Sequence, residues 1–194
     1  MSVALPAGIC PNAFSMLLVP VMRASSSPFG GSEQTVDLLQ DRWSVAMSLP
    51  PRTRDNAAAL EAFLNGIRAN TVDLYHWVRK VPRGTMRGTP VAWGTARGAN
   101  VLSITTTAGA TLLAGDMIGV AGLLLQVAAD ATADGSGRLD APLANRLRKA
   151  IPTDAPVVWD RPTAPFRLVS PMPVQHVPGY AEGLALDFIE DVTQ

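Results

Sequence analysis

Charge, histidine and cysteine are all scarce in this chain, and each scarcity excludes something. Of 194 residues only 16% are Asp, Glu, Lys or Arg, below the roughly 25% of an average soluble domain. Sixteen basic residues balance sixteen acidic ones, so the net charge is zero. A neutral chain exerts no long-range pull on polyanions, although local patches remain open. The single Cys10 excludes an intrachain disulfide framework and leaves too few thiols for a cysteine-rich zinc site. Its expected role is that of a small buried hydrophobe. There is no basic stretch at the N-terminus. The apolar run Phe14–Val21 is short and broken by Pro20. Neither a signal peptide nor a membrane span is therefore expected, and a reducing cytosol is the expected compartment.

What is present is apolar and turn-rich. Hydrophobic residues make up 47%, enough for a core, and Gly and Pro number 16 each. That suits many strands joined by turns. Residues 1–12 read as an extended arm, Ala13–Met22 as a strand, and Ser25–Ser32 as a loop. Trp43, Val45, Met47 and Leu49 alternate with lighter residues, the period-two signature of a strand with one buried face. Pro50-Pro51 ends it. Thr53 or Asp55 is placed to cap a helix over Ala57–Ala69. Leu60, Phe63, Leu64 and Ile67 form one stripe on that helix. Arg68 suits the C-terminal dipole, and Asn70 is expected as a left-handed stop. Val72, Leu74, His76 and Val78 alternate again.

From Arg79 to Pro90 the chain is basic and punctuated by Gly and Pro. Short apolar pieces follow at Val101–Thr105, Met117–Val120, Leu123–Val127, Arg138–Leu139 and Val157–Trp159, separated by Gly-Asp and Asp-Gly turns. This spacing predicts a small barrel or sandwich. Leu143–Ile151 reads equally as a short helix or an irregular link. Pro162-Thr163-Ala164-Pro165 reads as an exit linker, and Phe166–Val169 and Glu182–Glu190 as returning strands. The expected fold is mainly β. One domain, 1–78 plus 163–194, is a sandwich with one flanking helix, and 79–162 is an inserted barrel.

No catalytic, cofactor-binding or metal-ligating residue is assigned. His76 and His176 show no HxH or HxxxH pairing, so they read as a strand-face and a loop histidine. Asp130, Asp134 and Gly135 match the first, fifth and sixth positions of a calcium loop. Thr132 and Ala141 stand where oxygen ligands are needed, and an Asp-Gly turn explains the same residues. There is no Gly-x-Ser-x-Gly elbow, and Phe29-Gly30-Gly31-Ser32 lacks the lysine of a phosphate loop. An enzyme is not expected. The basic residues Arg79, Lys80, Arg83, Arg87 and Arg97, flanked by Trp77 and Trp93, leave open a nucleic-acid module beside the barrel. The four tryptophans leave open sugar stacking. Trp43 belongs to the core register. Trp77, on the face opposite Val72, Leu74 and Val78, is the candidate for burial against another subunit.

The order of elements carries a resemblance. The strand Arg42–Leu49 with Pro50-Pro51, the amphipathic helix, and a strand come first. The Pro82-Arg83-Gly84-Thr85 crossing, a β-rich insert opening Ala114-Gly115-Asp116, and a terminal strand follow. This layout resembles the distal tail proteins of long-tailed bacteriophages. The resemblance implies a belt domain of which six copies close into a ring between tail tube and hub or baseplate, through which the tape-measure protein or DNA passes. It implies assembly in the host cytoplasm, residence in the virion tail, and partners that are tail proteins rather than small molecules or membranes. No site residues carry over, because the family's role rests on none.

Overall fold

The computed structural model describes residues 2–6, 9–26, 30–31, 33–38, 40–67, 70–170, 175–182 and 184–192. The protein is mainly β, with one helix among the described residues. It divides into two compact units. The first comprises Met1–Leu17, Trp43–Val78 and Thr163–Gln194; the second comprises Leu18–Arg42 and Arg79–Pro162.

The first unit is built on a six-stranded sheet in the order Ser2–Ala4, Thr71–Tyr75, Thr163–Ser170, Ala185–Glu190, Arg42–Ser48, Ala13–Val19. Its centre is where the sequence alternates best. Trp43, Val45, Met47, Leu186 and Phe188 are all buried on strands Arg42–Ser48 and Ala185–Glu190, which pair antiparallel. Glu190 is buried among them, and its Oε2 accepts the Trp43 backbone N–H at 3.0 Å. A second, three-stranded sheet joins Gln175–Val177, Tyr180–Glu182 and Arg52–Thr53.

The helix runs Arg54–Gly66 and contacts Arg52–Thr53 and Tyr180–Glu182. It begins earlier than the stripe suggests, because Thr53 occupies the N-cap position in extended conformation; its side chain makes no capping bond. Leu60, Leu64 and Ile67 are buried, while Phe63 is only half-buried at the stripe's margin. Ile67 closes the helix through its N–H to Phe63 O at 3.1 Å. Arg68 and Ala69 lie outside the described residues, as do Ser27-Pro28-Phe29 and Ser32 of the expected loop.

Three further readings need correction. The strand Thr71–Tyr75 stops where its partner does, at the pair Tyr75–Thr163, so the alternation does not reach Val78, which is 76% exposed. The Pro162–Pro165 segment is not a free linker, because Thr163, Ala164 and Pro165 pair with Tyr75, Leu74 and Asp73. Cys10 is exposed rather than buried.

The second unit is the barrel-like one. Its six-stranded sheet runs Leu123–Gln126, Met117–Val120, Ala155–Val158, Val91–Ala92, Val101–Thr105, Arg138–Pro142, and Thr111–Leu112 pairs with Ala131–Thr132 beside it. Leu102, Ile104, Leu112, Ile118, Leu139 and Leu147 belong to one fully buried cluster. Leu143–Ile151 is an irregular link. Asn145, itself buried, holds it by accepting the Gln126 N–H and donating to Leu124 O, both at 3.0 Å. Residues 18–42, assigned to the first domain from sequence, group with this unit instead. Arg148 Nη1 donates to Asp41 O at 2.6 Å, and Arg146 Nε lies 3.6 Å from Asp37 Oδ2.

Candidate functional site

Two surfaces stand out, and both lie in the second unit. The first is a ribbon. Strands Met22–Ser26 and Glu33–Asp37 pair antiparallel, with Met22 opposite Asp37 and Ser26 opposite Glu33. Every residue of both strands is exposed. Met22 and Arg23 point to opposite faces because side chains alternate, and Val36 pairs with Arg23. Apolar side chains therefore lie open on both faces. Met22 and Val36 on the ribbon and Leu38 just after it are all exposed, Met22 at 58%. The expected loop at Ser25–Ser32 is part strand, since Ser25 and Ser26 belong to the ladder.

The second surface is the outer face of the barrel strands. Ser103 and Thr105 on one strand lie opposite Asp140 and Arg138 on the next. Trp93 follows Val91–Ala92, and its backbone N–H donates to Ser103 O at 2.9 Å. Its indole N–H donates to Thr105 Oγ1 at 2.7 Å. The Arg138 guanidinium lies over the Trp93 ring at 5.0 Å. Arg138 Nε reaches Asp140 Oδ1 at 3.3 Å, and Nη2 donates to Ser103 Oγ at 3.3 Å. The Ser103 hydroxyl donates to Asp140 Oδ1 at 2.5 Å. That hydroxyl, with Arg138 after it, holds the Asp140 carboxyl below its ordinary value. Sequence reading named Trp93 but not its partners. They sit at alternate positions of two strands, and only the pairing register brings them together.

The other residues singled out from sequence are mostly structural. Asp116 is buried, and its carboxylate accepts the N–H groups of Arg83, Gly84 and Leu113 at 2.9, 3.1 and 2.8 Å. Gly84 is required there, since a Cβ would sit 2.1 Å from Thr111 O. The basic stretch staples this same corner. Arg79 Nη1 donates to Gly115 O at 3.0 Å, and Arg83 donates to Ala114 O. Arg87 donates to Gly84, Met86 and Pro82 carbonyls and lies 5.1 Å from the Trp159 ring centre. Three of the five cations that left a phosphate-binding reading open thus donate to backbone carbonyls of their own unit. Lys80 is half-buried, and Arg97 is exposed.

Asp130 and Asp134 do not converge on a common point. Asp130 Oδ1 accepts the Ala114 N–H at 2.8 Å, while Asp134 Oδ1 accepts Ser136 N, Ser136 Oγ and Arg138 N. The Ser136 hydroxyl and these amides hold Asp134 below its ordinary value. Among the described residues, no group of three or more His, Cys, Asp or Glu could hold a metal ion. His76 packs edge-on to Phe14 at 5.2 Å, and His176 Nε2 lies 3.0 Å from Glu61 Oε1. Trp77 is half-buried and stacks on Tyr75 at 5.5 Å. No helix among the described residues is long and apolar enough to cross a membrane. No family model matches the chain, and no curated protein matches it.

Proposed function

We propose that this chain is a structural subunit of a long-tailed phage tail, a distal tail adaptor whose copies close into a ring between tail tube and hub. The observation that carries the self-assembly part of this reading is the exposed ribbon Met22–Asp37. A two-stranded ribbon open on both faces is marginal in water. Its free edges invite further pairing, and each apolar side chain it covers on docking contributes up to about 1.5–3 kcal/mol. A ring of identical copies requires two different, complementary patches on each subunit, and a ribbon seated on the neighbouring copy supplies one of them by strand addition. The edge strand Ala13–Val19 of the first unit, with Leu17 66% exposed, offers further apolar contact. The phage assignment rests on the resemblance in element order. In this reading the chain is not an enzyme, and its partners are tail tube, hub and tape-measure proteins.

Native mass spectrometry and electron microscopy of the purified chain test the proposal. Closed rings, or capture of tube or hub proteins by the chain, support it. A strict monomer that binds neither sinks it.

A further inference from the structure

We propose that the outer barrel face centred on Trp93 is a binding site for a neutral saccharide. The inference is independent of whether the chain forms rings. Four observations carry it. First, Trp93 keeps 47% of its surface open, although burying a tryptophan is among the largest apolar gains available to a fold. Second, its ring is fixed. Thr105 takes the indole N–H, and Arg138 covers one face, being itself held by Asp140 and Ser103. A platform held in advance loses little entropy on binding.

Third, Arg138 and Asp140 also line a shallow open depression of about 660 Å³, completed by Asp130, Thr132 and Asp134. That size falls in the range of small-ligand sites; Trp93 stands outside its lining, and the Arg138 guanidinium, which lines the depression and lies over the ring, joins the two. Polyhydroxy ligands need that pairing: C–H faces for the ring, and hydroxyls that both donate to carboxylates and accept from a guanidinium. Fourth, the charge balance selects the ligand. Asp140 offsets Arg138, while Asp130 and Asp134 leave the depression net negative. Phosphates and acidic sugars are repelled, so a nucleic acid strand is disfavoured although its bases also stack on tryptophan. Asp140, held below its ordinary value by Ser103 and Arg138, stays an acceptor across the physiological range.

The test is calorimetric titration of the full chain with N-acetylchitotetraose and with maltotetraose, and separately with an oligothymidylate. Saturable binding of one of the oligosaccharides, one per chain, is expected. Trp93→Ala should weaken it about tenfold or more, the size of one lost aromatic contact. Trp93→Phe, which keeps a ring, should bind with intermediate affinity. Asp140→Asn removes the charge with little change of shape and should also weaken binding. It keeps the test decisive if Trp93→Ala fails to fold. No saturable heat with either oligosaccharide overturns the proposal. So does binding that Trp93→Ala and Asp140→Asn leave unchanged, or oligothymidylate binding at this face in place of the sugars.

Discussion

Two antiparallel pairs in the same unit make opposite use of the same local geometry. Strands Val101–Thr105 and Arg138–Pro142 alternate, with Leu102, Ile104, Leu139 and Ala141 completely buried between exposed neighbours. Strands Met22–Ser26 and Glu33–Asp37 pair equally regularly, yet bury nothing. The ladder bonds are the same in kind, so they do not account for the difference. It lies in what each pair packs against. The first closes on a core that includes Leu112, Ile118 and Leu147. Among the described residues, every residue of the second pair is exposed, and anchors lie near its base at Asp37 and Asp41. Backbone pairing alone does not make a strand stable; covered side chains do. In the proposed ring, this uncovered ribbon is the surface on which the neighbouring copy would seat.

The comparison breaks first if the barrel core is soft. Leu139→Ala removes a fully buried side chain and should cost about 2–5 kcal/mol, read as a lower urea midpoint with unchanged slope. A loss of only a few tenths would place the barrel in the same class as the ribbon. Asp116→Ala removes the acceptor of three backbone N–H groups at the barrel's corner. It should cost about 3 kcal/mol, because a buried donor left without a partner keeps its full desolvation penalty. Asp116→Asn retains one acceptor oxygen and should cost less, which separates hydrogen bonding from packing in the same melt.

The first unit supplies an intermediate case. Phe63 lies in the helical stripe, and if it were fully buried, its truncation would cost about 3–5 kcal/mol. Being half-buried, it should cost roughly 1–2 kcal/mol, measured as a change in thermal midpoint. Acid should have a smaller effect. Asp134 and Asp140 are both held below the ordinary value of 3.8 in the folded chain. Their contribution is therefore complete above that value and is lost as pH falls through the lower folded-state values. Melts between neutral pH and about pH 3 should show only a slight extra loss from these two, since both are exposed and well screened. Asp140→Asn should flatten that acid limb slightly.

Legibility in the sequence follows the same division. Where burial repeats with a fixed period, as at Trp43–Leu49 or Val101–Thr105, the strand is visible in the residues. Leu143, Leu147 and Ile151 are buried at helical spacing on a segment that is not a helix. Periodicity reports which side chains turn inward, and here hydrogen bonds from Asn145 and the backbone, rather than a helix, turn them. Asp116 reads as a turn residue because its three N–H partners lie partly in a segment some thirty positions away. The Trp93 face is hidden for a related reason, since its members meet only through register. The ribbon is hidden because serine, threonine and glutamine in a short run look like a loop until the ladder is seen. In each case the missing information is long-range pairing.

The smallest expected change in stability is the most informative about the ribbon. Met22→Ser and Val36→Ser alter exposed side chains that touch no core, so together they should move the chain's own unfolding by no more than about 0.5 kcal/mol. In the proposed ring the same two residues, one on each face, are covered by a neighbouring copy. The double variant should then lose assembly while keeping its melt, so that native mass spectra shift from closed rings to single chains. Leu139→Ala should do the reverse, lowering the melt while rings persist below it. If the double variant instead melts several degrees early as a monomer, the ribbon is already packed within its own chain. The contrast between the two antiparallel pairs then disappears. If it melts normally and still forms rings, the ribbon is not the contact, and the edge strand Ala13–Val19 with its exposed Leu17 becomes the next place to cut.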